Sequence, residues 1–167
     1  MRARDPSRGW SLRALALMAQ LLLAGCGFHM QGRVTLPRSL ANVRIEAIDQ
    51  QSDFYSSLRA ALSAAGTKLD GASDDAATIH ILTDSSSERV ITVSARNTPT
   101  AYLLDYKVKL AVEYQGRELL PAEEHTLTRE YSFDETELLA KQRESETLRQ
   151  ALADDLTALV MRRLAAL

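Results

Sequence analysis

Apolar and polar side chains alternate along several parts of the chain in the pattern of half-buried strands. Residues 43–47 begin this pattern, with the apolar side chains of Val43, Ile45 and Ala47 separated by two charged ones. A two-residue period places all three apolar groups on one face of a strand. A further strand is predicted over residues 77–83.

The longest β pattern lies between residues 86 and 133. It predicts strand over residues 90–95, then a long strand, a Gln115-Gly116 turn and a return strand over residues 126–133, which together form an antiparallel meander. The apolar face of the long strand carries Leu104, Tyr106, Val108, Leu110, Val112 and Tyr114. The opposite face carries Lys107, Lys109, and Thr126 or Thr128, so it is expected to be solvated or covered by another protein.

Apolar residues at three- and four-residue spacing predict two amphipathic helices. The first begins at Ser52 or Asp53 and ends before Gly66. Near the C-terminus, residues 135–141 favour helix, a charged stretch follows, and leucines from Leu148 to Leu164 then form one broad stripe. The first two strands, joined by a helix, are expected to be parallel with a right-handed crossover.

The order of elements is therefore β-α-β-β-β-α. Because each helix has a single apolar stripe, both belong on the same side of the sheet. The sequence predicts an α+β two-layer sandwich, with a mixed sheet of four to five strands and two helices on one face.

The N-terminus has the layout of an export signal. Four arginines precede an uncharged apolar run over residues 14–23, and two small residues, Ala24 and Gly25, come directly before Cys26. A run of ten residues, nine of them apolar, is too short to span a bilayer, which needs roughly 20 in a helix. We therefore expect residues 1–25 to be a signal peptide that is removed, and Cys26 to carry the lipid; the alternative is an alanine-rich leader with a chance cysteine.

These features predict three parts of the chain: the signal peptide at 1–25, a lipidated tether at 26–40, and a single α+β domain at 41–167. Loss of residues 1–25 leaves 142 residues, enough for one domain, with 16 basic against 21 acidic side chains. That acidic balance argues against nucleic acid as a partner. Cys26 is the only cysteine, so no disulfide is expected.

The sequence contains only weak signals for catalytic or metal-binding groups. Ser85-Ser86-Ser87 lacks the glycines of a nucleophile elbow and is interpreted as a loop. The three histidines are far apart, and no glycine-rich phosphate loop or dinucleotide motif is present. The sequence therefore predicts neither an enzyme nor a cofactor or metal site.

Two basic residues lie where side chains are presented to solvent. Arg96 is in a turn between two long strands, and Lys141 lies near the polar junction before the last amphipathic helix. Both residue types bind anions, arginine through its fork geometry and lysine as a point charge. The alternative is that Arg96 only decorates a loop and that Lys141 pairs with Ser145 or Glu144 on a solvated helix.

Several short motifs together resemble the LptE family of LPS-assembly lipoproteins. They are Ala24-Gly25-Cys26-Gly27-Phe28-His29, Leu36-Pro37, Leu139-Ala140-Lys141 followed by Glu144, and a leucine-striped final helix ending in Arg162-Arg163-Leu164. The resemblance extends over essentially the whole mature chain. Gly27, in place of the aspartate typical of inner-membrane retention, is compatible with outer-membrane sorting.

The resemblance implies a non-enzymatic lipoprotein at the periplasmic side of the Gram-negative outer membrane. Such a protein occupies the lumen of the LptD β-barrel and helps it to insert lipopolysaccharide into the outer leaflet. A lipid A phosphate would then suit Arg96 and Lys141. The main alternative function is a lipid-anchored periplasmic lipid carrier or a general outer-membrane assembly factor. A lipid-anchored periplasmic enzyme is a more distant third alternative.

Overall fold

The structure is a computed structural model and describes residues 34–69, 75–132 and 138–167, with the backbone alone for residues 138–140. The predicted signal peptide, Cys26 and the first part of the predicted tether lie outside the described residues. All the described residues belong to one unit, Arg33–Leu167.

Four strands and two α-helices make up the described chain. They are β1 (Val43–Ala47), α1 (Asp53–Ala64), β2 (Ala77–Val93), β3 (Pro99–Tyr114), β4 (Arg117–Ser132) and α2 (Leu138–Leu164). The sheet order is β1-β2-β3-β4, with β1 parallel to β2 and the other neighbours antiparallel. This confirms the predicted α+β class, the element order and the parallel first pair.

Local signals in the sequence fix both ends of α1. Ser52 caps the N-terminus, where its Oγ accepts a hydrogen bond from the backbone N–H of Tyr55 at 3.0 Å. Gly66 follows the C-terminus with φ +91°, a left-handed conformation that glycine adopts without strain. The stripe of Phe54, Leu58 and Leu62 is fully buried.

The core lies between the two helices and one face of the sheet. On β3 the buried side chains alternate with more exposed ones, as the two-residue period requires. The fully buried members include Ile79, Val108, Leu110 and Val112 from the sheet, and Leu152, Leu156 and Leu164 from α2. The sheet face away from the helices carries the predicted polar residues.

The last residues of the predicted tether pack against the folded domain. Residues Arg38–Leu40 form a 3-10 turn, and Leu40 is fully buried. Val34 and Leu36 pack against the core, and Thr67 donates a hydrogen bond to the carbonyl of Leu40 at 3.1 Å. Burial of these apolar side chains holds residues 34–40 against the domain.

The interpretation of Ser85-Ser86-Ser87 as a loop was wrong. All three serines lie within β2 and pair with residues 105–107 of β3. Serine has little intrinsic preference for strands, but pairing with a long neighbouring strand outweighs that preference. The segments predicted at 77–83 and 90–95 are consequently one strand, and the sheet has four strands.

The charged stretch before the leucine stripe is part of the last helix. Helix α2 runs without interruption from Leu138 to Leu164, about 40 Å at 1.5 Å per residue. The charged stretch is rich in glutamate, arginine and glutamine, which favour helix and keep their charges in solvent.

Strand β4 forms one edge of the described sheet and is irregular near its start. Leu110 of β3 pairs with Glu123, but Val112 pairs with Leu120, so Pro121 and Ala122 fall at a register shift. Proline has no N–H to donate, and such interruptions are typical of edge strands.

Candidate functional site

Arg96 lies in the turn that joins β2 to β3. The Ser94 hydroxyl oxygen accepts hydrogen bonds from the backbone N–H groups of Arg96 and Thr98, both at 3.3 Å, and Asn97 has φ +62°. Serine and asparagine favour such turns because their side chains bond to nearby backbone. The Arg96 side chain is exposed at the tip of this hairpin, as predicted.

Lys141 lies in the first turn of α2 and is held against the hairpin. Its ammonium group is 3.6 Å from the centre of the Tyr102 ring and 3.3 Å from a carboxylate oxygen of Glu88. The first contact is a cation–π interaction and the second an ion pair. Only 21% of the Lys141 side chain is exposed. The predicted alternative partners of Lys141 were Ser145 and Glu144, but the ion pair is with Glu88.

Three side chains converge on the carboxylate of Glu88, and we call them the anion cradle: Tyr131, Lys141 and Ser145. The Tyr131 hydroxyl donates to Glu88 at 2.5 Å, and the Ser145 hydroxyl donates to the same oxygen at 3.1 Å. The Tyr131 ring stacks on Tyr102 with 5.5 Å between centroids. The cradle is therefore a set of donors arranged around one anion.

The electrostatics of this cluster follow from its geometry. Burial alone would raise the pKa of Glu88, but the hydrogen bonds from Tyr131 and Ser145 and the charge of Lys141 lower it overall. Burial alone would lower the pKa of Lys141, but its contacts with Tyr102 and Glu88 raise it. The pKa of the Tyr131 hydroxyl is raised, by burial and then by its hydrogen bond to Glu88. Glu88 and Lys141 are thus a charged pair at neutral pH.

Arg96 and Lys141 occupy the same end of the sheet. The turn that carries Arg96 precedes Pro99, three residues before Tyr102, whose ring Lys141 covers. Three residues of strand extend about 10 Å. The turn that carries Arg96 and the contact between Tyr102 and Lys141 are therefore neighbours along β3.

Sequence reasoning missed Glu88 and Tyr102 as neighbours of Lys141, whereas it named Ser145, which donates to the same Glu88 carboxylate. One signal was available for Tyr102, which continues the alternation of Leu104 and Tyr106 on the face towards the helices. Glu88 could not be placed because the hairpin register, which sets it opposite Leu104, was unknown.

The other charged pairs of the sequence have structural partners. Glu123 bonds to Arg163, with 2.6 Å for the shorter contact, while Glu124 pairs with Lys107 on the other face of the sheet. The neighbouring aspartates of α2 also diverge: Asp154 accepts from Ser57 at 2.6 Å and Asp155 from Arg129 at 2.7 Å.

Within residues 34–69, 75–132 and 138–167, no group of three or more His, Cys, Asp or Glu side chains is placed to hold a metal ion. Among the helices of these same ranges, none has the length and apolarity required to cross a bilayer.

The sheet face opposite the helices is polar and internally paired. Lys107 lies 3.2 Å from Glu124, and Asp105 accepts from Thr128 at 2.6 Å and lies 3.6 Å from Arg89. Cross-strand pairs of this kind satisfy the charges without covering the face.

A family model described as LptE, lipopolysaccharide-assembly, matches residues 40–164. The chain belongs to the LptE family. The match begins at Leu40 and ends at Leu164, so it spans the described domain from the buried end of the 3-10 turn to the end of α2.

Named relatives agree with membership of the LptE family. The LPS-assembly lipoproteins LptE of Yersinia pestis (strain Pestoides F) and of Yersinia pseudotuberculosis serotype O:1b are each 25% identical over 155 residues. Each alignment covers 92% of this chain and 74% of the relative.

Solved structures share the fold. The solution structure of lipoprotein B from Nitrosomonas europaea has a TM-score of 0.68 at 24% identity. The match covers 84% of this chain and 91% of that protein's chain. Rare lipoprotein B from Shewanella oneidensis has a TM-score of 0.66 at 22% identity, covering 75% and 94% respectively. The LptE-family domain described here is thus a known fold.

Proposed function

We propose that this LptE-family protein is an outer-membrane lipoprotein that partners an LptD-type β-barrel. It is anchored by lipid on Cys26 at the periplasmic side, occupies the lumen of the barrel and assists assembly of lipopolysaccharide into the outer leaflet. It acts as a non-enzymatic subunit. The observation that carries this proposal is the family match over residues 40–164.

The polar face of the sheet supports the placement in a lumen. The lumen of a transmembrane barrel is polar, and a domain inside it needs a surface that is polar and already paired. The ion pairs around Lys107 and Asp105 meet that requirement. Pairing of this kind offsets part of the cost of desolvating these charges when the domain enters.

The hairpin end supports contact with lipopolysaccharide. Arg96 and Lys141 lie at the same end of the sheet, and each is suited to a phosphate oxygen. We propose that both contact phosphate groups of the lipid A headgroup. A carrier of acyl chains would instead need an apolar cavity, whereas the groove beside α1 is open and lined largely by polar side chains such as Gln50, Ser56 and Arg59.

The partnership is tested by purifying the full chain, tagged at its C-terminus, from detergent-solubilised outer membranes. A large β-barrel protein should co-purify in equal molar amount. The same tag on a Cys26→Ala chain shows whether the association needs the anchor. Purification of the parent chain without any barrel protein would contradict the partnership.

The anchor is tested by the mass and location of the mature chain. The parent protein should begin at Cys26, carry acyl chains and remain with the outer-membrane fraction. Cys26→Ala should appear in the soluble periplasmic fraction, because acyl chains contribute on the order of 0.8 kcal/mol per buried methylene to membrane binding. Membrane retention of a processed Cys26→Ala chain would refute the assignment.

A further inference from the structure

We propose that the carboxylate of Glu88 occupies the position of the ligand phosphate at Lys141, and that binding of the lipid phosphate displaces it. Glu88 thereby lowers the affinity of the free domain for its ligand. This inference rests on the proposed function, because it takes Lys141 to be a phosphate ligand.

The geometry of the anion cradle carries the proposal. An ammonium group at 3.3 Å and two hydroxyl groups at 2.5 and 3.1 Å surround one carboxylate, from a strand on one side and a helix on the other. Tyr131, Lys141 and Ser145 all act as donors there. Several donors that converge on one anion are also what a phosphate group requires.

A phosphate can compete successfully for this position. It carries about 1.5 to 2 negative charges at neutral pH and three acceptor oxygens, against one charge and two oxygens for a carboxylate. Glu88 lies on the exposed half of β2, and 29% of its side chain is accessible. Its carboxylate can therefore turn into solvent while the cradle stays in place.

Glu88 could instead serve only to fasten the start of α2 to the hairpin. The two roles predict opposite effects of removing its charge. A fastening role predicts weaker ligand binding in a Glu88 variant, since Lys141 would lose its position. A competing role predicts tighter binding, since a site that is occupied internally for nine-tenths of the time loses roughly tenfold in apparent affinity.

The first experiment compares Glu88→Gln with the parent, using the full chain in detergent and fluorescent lipid A that carries both phosphates. We expect Glu88→Gln to bind about tenfold more tightly. Glu130→Gln is the matched control: it removes the same charge from an exposed residue of β4 on the opposite sheet face, and should bind like the parent. Equal or weaker binding by a folded Glu88→Gln chain overturns the proposal.

A shorter carboxylate gives a second, independent variant. Glu88→Asp keeps the charge but withdraws it from the Tyr131 and Ser145 hydroxyls, so its affinity for lipid A should also rise. Parent-like binding by Glu88→Asp would count against displacement. Inorganic phosphate serves as a competitor: weak competition is expected, because the ligand phosphate is borne on a lipid.

The hydroxyl donors are tested in the Glu88→Gln background. There Tyr131→Phe and Ser145→Ala should each lower lipid A affinity several-fold, because both hydroxyls then serve the phosphate. Tyr131→Phe keeps the ring that stacks on Tyr102, so it removes the donor alone. If both variants bind as tightly as Glu88→Gln, the cradle does not hold the phosphate.

Lys141→Gln separates this inference from the proposed function. Loss of lipid A binding in Lys141→Gln, with no gain in Glu88→Gln, overturns only the competing role of Glu88. Unchanged binding in Lys141→Gln overturns the assignment of Lys141 as a phosphate ligand, and the competing role with it.

Discussion

Single residues attach the helices to the sheet by two means, burial of apolar side chains and part-buried hydrogen bonds. Asp84 in β2 shows the second: it accepts from the Tyr106 hydroxyl at 2.9 Å and from the Ser52 hydroxyl that caps α1. Burial and then the charge of Asp84 raise the pKa of Tyr106 well above its ordinary value. Tyr106 therefore remains a neutral donor at neutral pH.

Val108 shows the apolar means of attachment. Its side chain is fully buried at the centre of β3, so Val108→Asp would place a charge in the core without a partner. We expect the free energy of unfolding to fall by roughly 3 kcal/mol or more, which denaturant titration measures.

Thr126→Asp is the control for Val108→Asp. Thr126 is exposed on the polar face and pairs with Lys107, so an added carboxylate there should change stability little. Similar unfolding curves for Val108→Asp and the parent would mean that the side chain does not face the core.

Glu88 makes the stability of the domain dependent on pH. Its pKa in the folded protein lies below the ordinary value of 4.5, so its contribution is present above about pH 4.5 and is lost as the pH falls through the folded value. We expect the melting temperature of the parent to exceed that of Glu88→Gln at neutral pH. This difference in melting temperature should disappear in acid. Glu130→Gln should show no such trend. A difference that grows on acidification would be inconsistent with the lowered pKa.

At the scale of elements, the sequence was sufficient to predict helix ends and strands where the signals are local. The cap at Ser52, the stop at Gly66 and the alternation along β3 lie within their own segments, and these predictions are confirmed. The full length of β2 depends instead on pairing with β3, which local composition does not contain. The anion cradle has the same limitation, because its members come from separate elements that only the hairpin register and the path of α2 bring together.

The β2–β3 hairpin is unevenly covered along its length. Residues 77, 79 and 81 of β2 are buried under the helices, whereas all of residues 85–93 are exposed, including the apolar Val90, Ile91 and Val93. Exposed hydrogen-bonded backbone opens more easily than buried backbone. We expect amides of residues 89–93 to exchange with deuterium faster than those of residues 77–81, as measured by mass spectrometry of the full chain. Equal rates along β2 would show that pairing alone protects the strand.

For the whole molecule, the central question is whether the hairpin end binds lipopolysaccharide. The double variant Arg96→Glu, Lys141→Glu should lose well over tenfold in affinity, because each charge-assisted contact contributes about 1.5 to 3 kcal/mol. Lipopolysaccharide titration of the full chain in detergent measures the loss, and co-purification of the barrel should persist.

The double variant Arg59→Glu, Lys68→Glu is matched in residue type and charge at exposed positions outside the hairpin end. It should bind lipopolysaccharide like the parent. Comparable affinity in both double variants would assign Arg96 and Lys141 to the general surface charge. Loss of the barrel in the first double variant alone would make them interface residues.

The register shift at Pro121 bears on pairing between two copies of this chain. A long unbroken sheet edge presents unpaired N–H and C=O groups with which a second copy can pair side by side. Pro121 and Ala122 interrupt that edge, and the carboxylates of Glu123 and Glu124 follow directly after them. The same irregularity that shortens the regular pairing of β4 with β3 thus makes this edge a poor template for a second copy of the chain.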